Sequence, residues 1–369
     1  MTSPYDKPAW PNRIRPLLPA IGFAVSVPAL HFMMRAAGTE YCLTQLTMAA
    51  YYAIVVTGLA LLMGYAGQVS MGHGAFFALG GYTTAVLTTH DFSKWQAQLG
   101  WLRDAHILVS RQDLYGAQIL TVTPWAACFT ALGVAMVAAC LIGYPALRLR
   151  GHYLAMATLG FGLIVAKLLV GSSFTGAADG INGVPEWQLL PGLVVSGKSA
   201  RRVENYYLAF ALLLVVLVLL RNTVSSRVGR ALKAIHDGEK AADAMGIDTA
   251  AYKLKVFLLS AALAAAAGVC FTHYTAGIGP SEAGALKSIR YVALAAAGGM
   301  ANLWRVAIVS IVLNYGSLRG WFGSYDNAVF GALLILIISL APDGTLRPIG
   351  WLRRLARPWF TRSSNHGTA

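Results

Sequence analysis

The chain has 369 residues, of which 57% are apolar and 12% are charged, whereas about a quarter of the residues in a soluble domain are charged. This composition excludes an ordinary soluble or disordered chain and predicts that most of the protein lies in lipid. The net charge of +14 falls between apolar runs and not along one continuous face, which favours cytoplasmic loops over a nucleic-acid surface.

Apolar runs along the chain predict an all-α integral membrane protein. A helix needs about 20 apolar residues to cross roughly 30 Å of hydrocarbon. About ten spans are predicted, with eight as the lower count, at 17–35, 44–63, 70–90, 124–147, 152–170, 205–220, 254–278, 286–301, 306–320 and 328–341. The first run follows basic residues but is longer than a signal-peptide core, so it is predicted to be an uncleaved span.

The distribution of basic residues predicts the orientation of the spans. Lys and Arg are concentrated in the loop 221–255 and in the tail 343–369, which the positive-inside rule places in the cytoplasm together with the N-terminal segment 1–16. The loops 91–123 and 171–204 then face outward. Residues 17–342 form the transmembrane domain, and both chain ends are cytoplasmic.

The stretch GQVSMGHGAFFALGGY, residues 67–82, interrupts an apolar run with five glycines. Glycine weakens a helix, and irregular backbone at membrane depth persists only beside protein or a water-filled cavity, so a glycine-broken helix points to a solute path. The residues predicted to line or gate that path are Gly67, Gln68, Ser70, Gly72 and His73. The alternative is that small residues only let helices pack closely. His73 itself is predicted to be a hydrogen-bonded interior histidine and not a metal ligand.

The segment VGRALKAIHDGEKAADAMGI, residues 228–247, has the pattern of one charged amphipathic helix in a cytoplasmic loop. Leu232, Ile235, Ala242 and Met245 fall near one face, and Gly246 is placed to end the helix. Such a helix suits a groove on a soluble partner. It equally suits an anionic lipid surface.

No pattern in the chain predicts chemistry on a substrate. GLVVSGKS, residues 192–199, matches the spelling of a phosphate-binding loop, but it lies in an outward loop without the preceding buried strand, so nucleotide binding is rejected. No catalytic triad, HExxH sequence or paired carboxylates are present. We therefore predict no catalytic residue, no metal site and no cofactor, and we expect no enzyme.

Isolated features of the apolar runs have structural interpretations. Ser260, Ala264 and Gly268 form a stripe of small residues that predicts close helix packing and nothing more. Three basic residues near span ends, Lys167, Lys287 and Arg290, are predicted to extend toward the membrane surface. The cysteines are predicted to be small buried hydrophobic residues, at positions 42, 128, 140 and 270.

Four stretches together resemble the larger permease of branched-chain amino acid ABC importers. Residues 67–82 match the family's GQxSxGHxAF segment, and GHYLAMATLGFG (151–162), FTGAADGINGVP (174–185) and the run 228–268 are similar to further blocks. The resemblance implies an ABC importer permease in the bacterial inner membrane. Its implied partners are a second permease, two cytoplasmic ATP-binding subunits that hydrolyse ATP, and a periplasmic binding protein. The outward loops would then be periplasmic.

The resemblance also implies which residues couple the permease to its ATPases. Ala241, Ala242 and Gly246 correspond to the coupling loop, and Asp237 and Glu239 become contributors to the ATPase contact. The chain departs from the family at GGMANLW, residues 298–304, and at Leu163, which leaves the solute open: branched-chain amino acids or a related small polar solute. The alternatives are an ATP-independent secondary transporter or channel and a membrane-embedded enzyme.

Overall fold

A computed structural model describes residues 18–93, 107–112, 116, 118–146 and 153–340. The predicted N-terminal segment 1–16, the tail 343–369 and part of the loop 91–123 lie outside the described residues. The helices are α1 Leu18–Ala36, α2 Cys42–Ala66, α3 His73–Thr89, α4 Pro124–Ala146, α5 Tyr153–Gly171, α6 Arg202–Ser225, α7 Arg227–Asp237, α8 Glu239–Ala244, α9 Thr249–Thr275, α10 Ala285–Ala297, α11 Leu303–Leu318 and α12 Asp326–Leu340.

Each of the ten predicted spans overlaps a helix of the structure. The two other helices, α7 and α8, lie in the segment predicted as one amphipathic helix of a cytoplasmic loop. Within the described residues, six helices are long and apolar enough to cross a membrane, namely α1, α2, α4, α5, α6 and α9. Helices α3, α10, α11 and α12 are shorter than about 18 residues. A count of eight to ten spans therefore stays a prediction.

Helix α2 forms the centre of the bundle. Nearly all of its side chains are buried, and it packs against α6, α9 and α11. Its apolar residues point in all directions, as expected for a helix surrounded by other helices. The position of a residue along this central helix therefore indicates its depth in the bundle.

Helix α4 shows how the outer surface meets lipid. Its buried residues recur every four positions as small side chains, at Ala127, Ala131, Ala135, Ala139 and Gly143. Its large apolar side chains, including Phe129 and Leu141, are exposed instead. Small residues between helices and large apolar residues outside are typical of membrane bundles. Cys140 lies on this outer side and is exposed, contrary to the prediction, whereas the other three cysteines are buried.

Helices α3 and α9 approach closely because glycines on both helices leave no side chain between the two backbones. A Cβ atom on Gly80 would lie 2.3 Å from the carbonyl oxygen of Ala265, and one on Gly268 would lie 2.0 Å from that of Phe77. The predicted packing role of the stripe Ser260, Ala264 and Gly268 is confirmed, since all three residues are buried.

Six short strands in the described part of the chain were not predicted. They are β1 Leu108–Gln112, β2 Gln118–Val122, β3 Ile181–Asn182, β4 Trp187–Leu190, β5 Leu193–Val195 and β6 Gly277–Ile278. They form three antiparallel pairs, β1 with β2, β3 with β6 and β4 with β5. Helix α9 runs from α8 at one end of the bundle to β6 at the other. We call the first end the α7 end, because α7 packs against α8 there, and the second end the strand end.

Candidate functional site

The glycine-rich segment breaks the helical path between α2 and α3. Residues 67–72 are not helical, and Gly67 ends α2 in the left-handed region, with φ +66°. Only glycine adopts this conformation without strain. A Cβ atom there would also lie 2.8 Å from Nδ1 of His236 on α7. The predicted glycine-broken helix is therefore present, and it lies beside the α7 end.

His73 begins α3 and is fully buried. Its Nδ1 atom shares a hydrogen bond of 3.2 Å with Oγ of Ser70, and its Nε2 atom shares one of 2.7 Å with Oγ of Ser260 on α9. The prediction of a hydrogen-bonded interior histidine is confirmed. The prediction that Ser260 only packs is wrong, because its hydroxyl also binds the imidazole.

The other residues predicted to line a path lie close to His73. Gln68 is 6% exposed, and its Oε1 atom has no hydrogen-bond partner among the described residues. Gly72 lies against α5, where a Cβ atom would come within 2.8 Å of the carbonyl oxygen of Thr158. The structure thus places the five predicted residues in and beside one break, where Gly67 is exposed and the other four are buried. Whether solute reaches them stays a prediction.

The predicted single helix at residues 228–247 is wrong, because it is divided into α7 and α8. Gly238 has φ −174° and ψ 96°, which is extended backbone, so the 3.6-residue pattern does not continue through it. The four residues predicted to share one face are separated, because Leu232, Ile235 and Ala242 are buried whereas Met245 is 83% exposed. The change of direction at Gly238 turns Met245 away from the bundle.

The residues implied to couple with ATPases lie on α8 and its ends. Asp237, Ala241 and Gly246 are exposed, whereas Ala242 is buried. Glu239 forms an ion pair of 2.6 Å with Lys253 on α9, so its carboxylate holds α8 against the bundle. The exposed surface of α8 therefore combines small side chains with the charged Lys240 and Asp243, and Met245 lies exposed directly after the helix.

The prediction that Lys287 and Arg290 extend to the membrane surface is wrong. Nζ of Lys287 donates to Oε1 of Glu282 at 3.0 Å and to the hydroxyl of Tyr52 at 3.1 Å. Arg290 pairs with Asp326 at the start of α12. Both basic side chains are more than four-fifths buried, because acidic partners compensate a charge that alone would cost about 2.5–3.5 kcal/mol in a membrane.

The sequence did not predict which residues pair with the two buried basic side chains, namely Tyr52, Glu282 and Asp326. Glu282 is an acidic residue between two apolar runs, five positions before Lys287, and this isolated pair of opposite charges was an available signal. Tyr52 carried no signal, because one hydroxyl in an apolar helix does not indicate its partner. Lys167 is exposed, as its predicted position at a span end requires.

A cavity of about 900 Å³ opens at the strand end, away from the glycine break. Its wall includes Arg111, Glu186, Lys198 and His273. Nζ of Lys198 lies 2.7 Å from Oε1 of Glu186, and this hydrogen bond lowers the pKa of the Glu186 carboxyl. The lysine of the rejected phosphate-loop match thus pairs with a carboxylate. Three of the four residues between the two glycines of that match form strand β5.

These features define a multi-pass membrane permease: an apolar bundle with lipid-facing side chains, a break in its interior and short polar helices at one end. Residues 41–338 match the family described as branched-chain amino acid transport system / permease component. The chain belongs to this family, as an M-type permease subunit of an ABC importer in the inner membrane, and the resemblance seen in its sequence is confirmed.

Individual relatives agree with the family match. The chain is 31% identical over 323 residues to the high-affinity branched-chain amino acid transport system permease protein LivM of Escherichia coli (strain K12), covering 81% of this chain and 68% of the relative. Identity to the protein of that name from Salmonella typhimurium is 28% over the same shares. LivH of Escherichia coli (strain K12) is 24% identical over 81% of this chain and 92% of its own length. No solved structure matches the chain.

Proposed function

We propose that this permease moves branched-chain amino acids or a related small polar solute across the bacterial inner membrane, driven by ATP hydrolysis in partner subunits. The names of its relatives support this solute class. The proposed complex contains a second permease, two cytoplasmic ATP-binding subunits and a periplasmic binding protein. The departure at residues 298–304 keeps the choice among small solutes open.

The observation that carries the proposal is the form of α7 and α8. Two short helices project an exposed surface of Ala241, Met245 and Gly246, while Leu232 and Ile235 bury the other side against the bundle. Small residues beside an exposed methionine on an anchored helix suit a groove on a soluble subunit. Exposed basic residues on the same two helices would also suit an anionic lipid surface. The match to a transport-system permease family favours the partner interpretation.

The orientation follows from charge. Basic residues dominate 221–255, so we assign the α7 end, the segment 1–16 and the tail 343–369 to the cytoplasm, and the loops 91–123 and 171–204 to the periplasm. We assign ten spans within 17–342, with α3, α10, α11 and α12 included as short ones.

The glycine break is the proposed gate. Gln68, Ser70 and His73, together with Gly67 and Gly72, would line the path when the bundle changes conformation. The unpartnered Oε1 atom of Gln68 supports a polar role, because a buried amide oxygen without a donor is unfavourable in one fixed conformation. Replacing Gln68 by Leu should abolish uptake while the complex still assembles. Unchanged uptake would remove Gln68 from the path.

Reconstitution of the complex tests the ATPase contact. We expect Met245→Asp to reduce copurification of the ATP-binding subunits and ATP-dependent uptake by at least about tenfold, which corresponds to 1.4 kcal/mol. The control is Arg35→Ala, an exposed residue at the strand end whose loss changes the net charge by the same amount. Full-rate uptake without the ATP-binding subunits would favour a secondary transporter or channel.

A further inference from the structure

The ion pair between Glu282 and Lys287 lies at mid-depth in the bundle. The hydroxyl of Tyr52 donates to Oε1 of Glu282 at 3.0 Å and accepts from Nζ of Lys287 at 3.1 Å. Tyr52 is ten positions after Cys42 on α2, which corresponds to about 15 Å of helix. That distance is half of a hydrocarbon layer of roughly 30 Å.

The pair retains hydrogen-bonding capacity that its present partners do not use. Oε2 of Glu282 is buried and, within the described part of the chain, accepts no hydrogen bond. An ammonium group has three donors, and Lys287 directs two of them at Glu282 and Tyr52. The cluster thus offers one acceptor for a cation and one donor for an anion, side by side.

The direct ion pair lies within one segment of the chain, and Tyr52 links that segment to α2. Glu282 and Lys287 are five positions apart in one segment, whereas Arg290 and Asp326 join α10 to α12. A buried ion pair contributes little to stability compared with apolar residues of similar size. Glu282 and Lys287 have side-chain exposures of 12% and 18%, so the pair also reaches the surface of the chain.

The start of α3 lies beside the same segment. The backbone N–H of Gly74 donates to Oγ of Ser288, in the first turns of α10, at 3.1 Å. Two helices therefore begin next to each other near the ion pair, and helix N-termini carry partial positive charge that favours a carboxylate. This field adds to the charge of Lys287.

We propose that Glu282 and Lys287 form a solute-contacting site for a zwitterionic amino acid, with Glu282 binding its ammonium group and Lys287 its carboxylate. A zwitterion brings no net charge to a site that has none, so it can replace the direct ion pair without leaving an unpaired charge in the membrane. Tyr52 positions both side chains. The site rests on the proposed importer function and specifies the solute chemistry of its path.

The test uses the whole complex in proteoliposomes with its binding protein and radiolabelled leucine. The variant Glu282→Gln/Lys287→Met removes both charges together, because removal of one alone would leave the other unpaired. We expect leucine uptake to fall at least about tenfold, while ATP hydrolysis stimulated by the binding protein stays within about twofold. The matched control, Arg290→Met/Asp326→Asn, removes the neighbouring pair and should retain uptake.

The outcomes separate the site from the proposed function. Leucine uptake within about twofold of wild type in the double variant would overturn the site alone. No ATP-dependent leucine uptake by the wild-type complex would overturn the proposed amino acid function and the site with it. If the double variant does not assemble, Tyr52→Phe decides: we expect uptake to fall several-fold with a raised KM, and unchanged uptake would overturn the proposal.

Discussion

The imidazole of His73 joins the start of α3, the glycine break and α9 at one point. It is buried between hydroxyl groups of Ser70, in the glycine break, and Ser260, on α9. Because both ring nitrogens have partners, the histidine fixes the position of the break relative to α9. Each partner therefore contributes to the same joint.

Removal of one hydroxyl should weaken this joint. We expect Ser260→Ala to destabilise the protein by roughly 1 kcal/mol, since a buried ring nitrogen then lacks a partner and hydrogen bonds between membrane helices are worth about this much. Unfolding in SDS measures the effect. The control is Ser225→Ala, whose hydroxyl is exposed and whose loss should change little. Equal stability of the two variants would contradict the role of Ser260.

Glu186 should give the strand end a dependence on pH. The hydrogen bond from Lys198 lowers the pKa of Glu186 in the folded protein, so the pair stabilises the fold above the ordinary carboxyl pKa. This contribution is lost as pH falls through the lowered pKa. The effect should be small, because both side chains are partly exposed. In a plot of Tm against pH, Glu186→Gln should reduce the fall of Tm at acid pH. An unchanged fall would contradict a stabilising role of this ion pair.

At the scale of elements, the sequence predicted helices well and their interruptions poorly. The division of α7 from α8 at Gly238 was missed because apolar residues recur at helical spacing on both sides of it. A single glycine does not indicate whether its backbone will be helical or extended. The pairing of Glu282 with Tyr52 was missed for a related reason, since residues 230 positions apart meet only through tertiary packing.

The close approach of α3 and α9 should not tolerate an added methyl group. We expect Gly80→Ala to destabilise the protein by about 1–3 kcal/mol, because the Cβ atom would meet backbone atoms of Ala265 that cannot move aside. Gly133→Ala is the control, since no atom lies within 4 Å of the added Cβ and alanine favours a helix. Thermal stability in detergent separates the variants, and a tolerated Gly80→Ala would show that the interface can open.

At the scale of the whole molecule, the apolar runs predicted the six long helices because a run that crosses lipid must be about as long as the membrane is thick. The shorter helices α3, α10, α11 and α12 do not follow this rule. The short strands escaped prediction because they lie in the connecting loops, where pairing depends on which loops meet. The lipid-facing surface could be assigned only from the structure, since α4 is apolar on all sides and burial alone distinguishes Ala131 from Phe129.

Labelling from the two sides of the membrane tests the proposed orientation. In a variant whose four cysteines are replaced by alanine, Ser199→Cys should react with a membrane-impermeant maleimide on intact cells whose outer membrane has been permeabilised. Arg230→Cys should react only after the inner membrane is opened. Both positions are exposed in the structure, so access across the membrane decides the result. The reverse pattern would invert the assignment of both ends.

The contact between His236 and Gly67 has a mechanical consequence. Nδ1 of His236, on α7, occupies the space that a side chain on Gly67 would need, and Gly67 opens a stretch of chain without helical hydrogen bonds. A rigid helix would transmit a displacement of α7 unchanged to the far side of the membrane. Here the displacement would first act on residues 67–72, which are not helical, and would become a local rotation near His73.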